Sequence, residues 1–216
     1  MFVFLAIFMV SCISGQPLNI SSNEVILETA IKYDNSFLDL HNGDTKEAVA
    51  WINKVVKETK PLLLELDVKV HLEVIGDIEY KNVNLSPDPE SMDRLRGQEH
   101  KTPVLTSYFS GFKAGPGQDS GLANLGEACD TKGSAIAIVS PAQNIAGTAR
   151  IFAHELGHTM GMKHDDKNQS GGPCNEPSGM MAPTVAANVS SWTSCSNAEL
   201  ALWLSTPAMC VGNFLV

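Results

Sequence analysis

The chain has 216 residues, of which 44% are apolar, with a formal net charge of −9 and an isoelectric point near 5.0. A chain of this length can bury one sizeable core but not two comfortable ones, so we expect a single domain. The excess of acidic residues argues against nucleic acid or an anionic membrane surface as the main partner.

The N-terminus carries a short apolar segment. Phe2 to Val10 is a run of nine apolar residues, and the small or polar Ser11, Cys12, Ser14 and Gly15 follow. This pattern predicts a secretory signal peptide over residues 1–15, although no basic residue precedes the run. The alternatives are a buried N-terminal strand and a membrane anchor, but nine residues are too few to span a bilayer. We therefore expect a secreted protein with one domain over residues 16–216.

The first half of the chain predicts a strand, a helix and a second strand. From Val25 to Tyr33, every second residue is apolar, β-branched or aromatic, as in a half-buried strand. Asp44 to Glu47 forms a capping-box pattern at the start of a helix, which Pro61 would stop or kink. Val68 to Val74 alternates again. The order strand, helix, strand implies a right-handed crossover that joins a parallel pair.

The second half predicts a mixed domain. Residues 81–100 are polar and largely predict a loop. A glycine-rich stretch, 111–121, precedes a possible edge strand at 122–125, and the nearly all-apolar run 134–139 is typical of a central strand. A helix is expected from about Ile145 to Gly161. Helices that alternate with strands up to residue 160 indicate an α/β or α+β domain.

An irregular tail with a late helix near residues 197–204 is expected after residue 161. Removal of a signal peptide would take Cys12 with it and leave four cysteines: Cys129, Cys174, Cys195 and Cys210. An even number in an exported chain suggests two disulfides, for which three pairings are possible. A cysteine-rich metal site is the alternative, but the four show no C-x-x-C spacing. Sequons that begin at residues 19, 84, 168 and 188 fit a glycoprotein.

The expected helix at 145–161 carries the start of the stretch HELGHTMGMKHD, from His154 to Asp165, which holds three of the six histidines. On a helix, His154 and His158 project from one face, one turn apart. Two such imidazoles can bind one zinc ion at about 2.0–2.1 Å. Glu155 would flank that ion without binding it and would take a proton from a zinc-bound water.

Gly161 and His164 complete this candidate zinc site. A continuing helix would carry His164 about 15 Å along the axis from His154. Gly161 can adopt a positive φ, end the helix and turn the chain back, so that His164 becomes a third ligand. Three protein ligands leave one position open, as in catalytic zinc sites. The alternative is a helix with surface histidines, which the number of fixed positions disfavours.

The pattern H-E-x-x-H-x-x-G-x-x-H from His154 to His164 resembles that of the metzincin metalloproteases. The following Asp165 is similar to the adamalysin (reprolysin) branch, which includes the ADAM, ADAMTS and snake-venom catalytic domains. The resemblance covers roughly residues 24–213. Three further segments resemble features of the family. Ser178 to Pro183 resembles the Met-turn, with Met181 beneath the zinc. Gly121-Leu122-Ala123 resembles the edge strand, Cys129 resembles the cysteine that follows that strand, and Cys210 to Asn213 resembles the domain end.

The resemblance implies a metzincin fold. A mixed, mostly parallel twisted sheet with helices would form an upper subdomain, above a small irregular disulfide-bonded lower subdomain, with the zinc cleft between them. It also implies the disulfides Cys129–Cys210 and Cys174–Cys195.

Several site roles follow from the same resemblance. A substrate would pair with the edge strand of Gly121, Leu122 and Ala123. Residues 184–189 would line the pocket for the side chain just past the scissile bond. Asp165 would accept hydrogen bonds in the turn rather than react. Met181 would lie below the zinc, or would simply fill core space.

The chain departs from the family pattern in two respects. Glu28 and Asn213 match calcium ligands of the family, but Lys101 stands where the middle aspartate is expected. A lysine ammonium there could occupy the place of the cation, so we do not expect calcium. Family precursors usually carry a long prodomain whose cysteine blocks the zinc. Here the expected catalytic domain follows the signal peptide directly, with no prodomain or accessory domain evident. Either the enzyme is made without that latency device or the chain is an abbreviated form.

These observations predict a secreted, monomeric zinc endopeptidase that acts on protein or peptide substrates, with extracellular matrix or plasma proteins as candidates. Glu155 would serve first as a base and then as an acid. Two alternatives stay open. One is a non-catalytic binding protein that keeps the zinc fold, and the other is a metal-dependent peptidase restricted to short peptides. A compact exported protease fits venom, parasite secretion or tissue remodelling, and its architecture favours a venom- or saliva-like role.

Overall fold

The computed structural model describes residues 24–96, 105–115, 120–128, 135–142, 144–166, 179–183, 189 and 191–205. The six strands are β1 (Glu24–Tyr33), β2 (Lys69–Val74), β3 (Glu79–Tyr80), β4 (Leu105–Phe109), β5 (Gly121–Ala123) and β6 (Ile136–Val139). The helices are α1 (Asn35–Leu40), α2 (Thr45–Leu63), α3 (Pro89–Arg96), α4 (Ile145–Thr159) and α5 (Ser194–Leu204). Within these ranges no helix is both long and apolar enough to cross a membrane.

The strands form one sheet in the order β2-β1-β4-β6-β5, and β3 pairs with the C-terminal end of β1. All neighbouring strands are parallel except β5, which runs antiparallel to β6 at one edge. The expected α/β class with a mostly parallel sheet is therefore confirmed. The predicted parallel pair on either side of the first long helix corresponds to β1 and β2.

The central strand β6 is buried on both faces, which explains its continuous apolar sequence. Ala137 and Val139 belong to the main core, together with residues of α2 and α4. Ile136 and Ile138 point into a second, smaller core that contains Leu95 of α3. Helices thus cover the sheet on both sides, and α4 is held against the side that carries the main core.

Helix α2 supports α4 across this main core. The Asp44 carboxylate caps α2 by accepting hydrogen bonds from the backbone N–H groups of Lys46 and Glu47, so the predicted helix start is confirmed. Of the two predicted effects of Pro61, the stop is wrong, because α2 continues to Leu63, and the kink stays a prediction. A proline this close to the end removes only one hydrogen bond, and the fully buried Leu63 side chain anchors the last turn.

The loop expected over residues 81–100 is wrong for residues 89–96, which form α3. The carboxylate of Asp88 accepts a hydrogen bond from the Ser91 N–H at 2.7 Å, and Pro89 occupies the first helical position. Met92 and Leu95 then bury one face of this otherwise polar helix. Asp88-Pro89 is a typical helix start, but the polar composition of the segment favoured a loop.

The observed ends of other strands and helices differ from the predicted ends by a few residues. The expected edge strand at 122–125 lies at 121–123, and the expected strand at 134–139 begins at Ile136. The late helix begins at Ser194 rather than near 197, because the Thr193 hydroxyl caps it by accepting from the Ser196 N–H. β4, α1 and β3 were not predicted at all.

A fully buried carboxylate, Asp34, joins three segments at the C-terminal end of β1. Its oxygens accept hydrogen bonds at 2.8 Å from the backbone N–H groups of Phe37 and Leu85 and from the Ser36 hydroxyl. One side chain therefore caps α1 and also holds the segment that leads to α3. A buried N–H left without its acceptor costs about 1–3 kcal/mol, so loss of this carboxylate is expensive.

We expect Asp34→Ala to lower the free energy of unfolding by about 3 kcal/mol, because it leaves several buried donors unsatisfied. Asp44→Ala is the matched control, since it removes an exposed helix cap that is worth about 1 kcal/mol. Urea unfolding followed by circular dichroism measures both. Equal losses for the two variants would contradict the role of Asp34 as a buried hub.

Candidate metal centre

Three imidazoles converge beside the C-terminal end of α4. His154 and His158 lie one turn apart on the helix, and His164 follows the helix end. The Nε2 atom of His164 lies 3.2 Å from the Nε2 of His154 and 3.2 Å from the Nε2 of His158. These three residues form the cluster of potential ligands found among the described part of the chain. The histidines predicted from the motif are therefore brought together.

The turn that delivers His164 depends on Gly161. Its φ is +85°, in the region that favours glycine, and its N–H donates to the His158 carbonyl while the Met162 N–H donates to Gly157. These two bonds form a Schellman motif, which ends α4 and reverses the chain. A Cβ at position 161 would also come within 2.9 Å of the Trp203 ring. The predicted role of Gly161 thus has both a conformational and a steric basis.

Backbone carbonyls orient two of the imidazoles. The Nδ1–H of His154 donates to the Met180 carbonyl, and that of His158 donates to the Met162 carbonyl, each at 2.7 Å. A carbonyl only accepts, so the proton of each neutral ring lies on Nδ1 and the Nε2 lone pair points towards the cluster. Metal-binding histidines are commonly fixed in this way. Neither carbonyl was foreseen from the sequence, because a backbone acceptor has no sequence signature.

Burial keeps these rings neutral. It lowers the pKa of His154 to about 3 and that of His158 to about 4, and neighbouring imidazoles add to both shifts. Neutral imidazole is the form that binds zinc. Nitrogens at 2.0–2.1 Å from a tetrahedral ion are about 3.3 Å apart, close to the Nε2 separations here. The three residues therefore fit a zinc ion in donor chemistry and spacing, and His154 and His158 also fit it in protonation state.

Glu155 lies between the histidine helix and the edge strand. It follows His154 on α4 and is 4% exposed. A Cβ at Gly121 of β5 would collide with this side chain, lying 2.6 Å from its Cδ. Only glycine lets the strand approach the carboxylate so closely. The structure therefore places Glu155 next to β5, the strand formed by the predicted edge residues Gly121, Leu122 and Ala123.

Met181 lies below α4 and is fully buried. A Cβ at Gly157 would lie 2.6 Å from its Sδ, so the thioether packs directly against the helix backbone between the two histidine ligands of α4. The preceding Met180 supplies the carbonyl that orients His154. Met180 and Met181 thus contact the part of α4 that carries His154 and His158, and the role of Met181 below a zinc ion stays a prediction.

Asp165 is 1% exposed and belongs to the framework of the site. Its Oδ2 accepts hydrogen bonds from the hydroxyls of Thr193 and Ser196 at 2.9 and 3.1 Å. Its N–H donates to the Met181 carbonyl at 2.9 Å. These contacts agree with the expected hydrogen-bonding role and connect the third histidine's segment to both α5 and the methionine turn.

The remaining predicted residues are only partly described. Cys195 lies in α5 and is disulfide-bonded. Glu28, the candidate calcium ligand, is exposed on β1. The other predicted participants lie outside the described residues: Cys129, Cys174, Cys210, Lys101, Asn213 and the pocket segment 184–188. The disulfide pairing and the calcium position therefore stay predictions.

Comparisons with known proteins agree with this geometry. The reprolysin model of metallo-peptidase family M12 matches residues 22–198. The chain is 27% identical over 184 residues to the disintegrin and metalloproteinase domain-containing protein adm-2 of Caenorhabditis elegans, which covers 81% of this chain and 19% of that protein. It is 27% identical over 183 residues to the zinc metalloproteinase-disintegrin-like brevilysin H2a of Gloydius brevicauda, which covers 79% of this chain and 42% of that protein.

The fold has a counterpart among solved structures. Archaemetzincin from Methanopyrus kandleri superposes with a TM-score of 0.51 at 11% identity, covering 83% of this chain and 96% of that one. The chain spans less than half the length of either curated relative above. The family match extends over most of the sequence and includes all three histidines. The chain therefore belongs to the reprolysin branch of metallo-peptidase family M12.

Proposed function

We propose that this chain is a zinc-dependent endopeptidase, which hydrolyses internal peptide bonds of protein substrates. The single observation that carries the proposal is the convergence of three imidazole Nε2 atoms, from His154, His158 and His164, beside a buried carboxylate. Three histidine ligands would leave a bound zinc ion one open position, as in hydrolytic rather than structural zinc sites.

Glu155 is proposed as the group that moves the proton. When bound, zinc would supply a Lewis acid that lowers the pKa of water and polarises the scissile carbonyl. The Glu155 carboxylate accepts the proton of the attacking water and donates it to the leaving amine. Its position one residue after His154 supports this role, because the helix places it beside the ligands but on a different face.

The substrate is proposed to lie along β5. This strand has one neighbour, β6, among the described strands, so the backbone groups on its other side can pair with an extended peptide. Contact between Gly121 and Glu155 supports the assignment, because a peptide beside β5 would pass close to the carboxylate. Recognition through the backbone suits a protease that acts on unfolded or extended segments.

Secretion is proposed as well. The disulfide at Cys195 supports it, because stable disulfides form mainly in oxidising compartments. The Asn84 sequon lies on an exposed residue, as glycosylation requires. We propose that Cys195 pairs with Cys174 and that calcium is not needed.

The proposed function is tested by digesting a denatured protein with the full chain and sequencing the fragments. We expect internal cuts, which cease when a chelator removes the metal and return when zinc is added back. Cleavage of short peptides, with no cut in the denatured protein, would favour the short-peptide alternative. A zinc-loaded protein that cuts nothing would favour the non-catalytic binding protein and would contradict the proposal.

Glu155→Gln is expected to lower kcat by a factor of about 10²–10⁴, since it removes the general base. Zinc binding, measured by the zinc-dependent rise in unfolding temperature, should persist because Glu155 is not a ligand. Glu58→Gln, at an exposed position of α2, is the matched control and should leave both quantities unchanged. Full activity of Glu155→Gln would show that another group moves the proton.

The metal-free protein is expected to lose stability as the pH falls from 6.5 towards 4. Folded His154 and His158 have lowered pKa values, so they stay neutral while their unfolded counterparts bind protons. The loss should be on the order of 1 kcal/mol per pH unit for each histidine. Urea unfolding at several pH values measures it. A flat profile would contradict the burial argument.

A further inference from the structure

Helix α5 lies against the turn that carries the third histidine. Three of its side chains contact that turn in succession: Trp203 packs on Gly161, Glu199 binds the backbone at Lys163, and Ser196 binds the carboxylate of Asp165. Residues 196, 199 and 203 are spaced three and four apart, so they lie on one face of α5. This face therefore follows the turn from one end to the other.

Glu199 makes the contact nearest to the ligand. Its Oε2 accepts a hydrogen bond from the backbone N–H of Lys163 at 2.6 Å, and Lys163 directly precedes His164. The bond is short and charge-assisted, which makes it stronger than one between neutral groups. Glu199 itself is only half-exposed, whereas the Lys163 side chain is exposed. The Glu199 carboxylate thus binds the backbone N–H of Lys163, whose own side chain is exposed.

The contacts on either side explain why this bond matters. The Schellman motif holds the backbone at Met162, and the N–H of Asp165 donates to the Met181 carbonyl. Lys163 and His164 lie between these two anchors. A backbone rotation there would swing the imidazole, and a shift of about 1 Å in a ligand is enough to spoil a metal site.

We propose that Glu199 is a positioning residue, which holds the backbone at Lys163 so that the His164 imidazole reaches the zinc ion. The inference rests on the zinc site of the proposed function but not on peptide hydrolysis. Glu199 touches neither the ion nor the substrate, and it acts only through the chain that carries the ligand. Loss of an outer contact of this kind typically weakens metal binding by about 10–100-fold.

Two variants of Glu199 distinguish the effect of its hydrogen bond to the backbone from the effect of its negative charge. Glu199→Ala removes the acceptor, whereas Glu199→Gln keeps an oxygen at the same distance from the backbone and removes the charge. We expect Glu199→Ala to raise the zinc Kd about tenfold and Glu199→Gln to recover most of that loss. Leu202→Ala, which truncates the most exposed large apolar side chain of α5, is the control for the helix and should match the wild type.

The measurements are zinc affinity, by competition with a chromogenic chelator, and thermal unfolding of each full-length variant with and without zinc. Zinc stabilises the folded protein in proportion to the logarithm of its affinity. A positioning role therefore predicts a smaller zinc-induced rise in unfolding temperature for Glu199→Ala, with little change in the metal-free protein. A general role in folding would lower both temperatures equally and leave the difference between them intact.

The inference is overturned if Glu199→Ala keeps the wild-type zinc Kd, if Glu199→Gln is as impaired as Glu199→Ala, or if the zinc-induced rise is unchanged. None of these results bears on hydrolysis. The proposed function fails separately if the zinc-loaded wild-type chain cuts no protein. A wild-type chain that gains no stability from zinc would contradict both proposals.

Discussion

The structure depends on one backbone reversal. His154 and His158 need only a helix to share a face, but His164 can join them only if the chain turns back immediately after α4. Gly161 supplies the positive φ, two backbone hydrogen bonds stabilise the turn, and the Trp203 ring closes over the position where a side chain would begin. The remainder of the site is arranged around this turn, with the methionine turn below it and α5 behind it.

The sequence was sufficient to predict the parts of the site that require particular side chains. Zinc ligands, a proton acceptor and a glycine at a helix end each demand a specific residue type at a fixed spacing, so the motif predicted His154, Glu155, Gly161 and His164 together. The supporting contacts could not be predicted in this way. The carbonyls of Met162 and Met180 orient the imidazoles, but any residue carries a carbonyl. Glu199 is an ordinary helix residue until α5 is placed against the turn.

The fold was predictable for similar reasons. β1, β2, β6, α2 and α4 show clear periodicity or apolar runs, and these elements form most of the main core. β4 has no clear apolar pattern, because its buried positions include Thr106 and Ser107. The Ser107 hydroxyl is hydrogen-bonded to the Thr29 hydroxyl of the neighbouring strand at 2.9 Å. Helix α3 was missed because most of its surface is polar and only two large apolar side chains reach the second core. In both cases tertiary partners, rather than local pattern, decide the structure.

The close approach of Gly121 to Glu155 has an evolutionary consequence. Glu155, the proposed acid–base group, and β5, the proposed substrate-binding strand, belong to separate segments of the chain. A single methyl group added at Gly121 would nevertheless displace the carboxylate. Substitutions at positions 121 and 155 are therefore coupled. Relatives that retain glutamate after the first motif histidine should also retain glycine at the start of the edge strand. Relatives that have lost the glutamate can have a larger residue at that position of the strand.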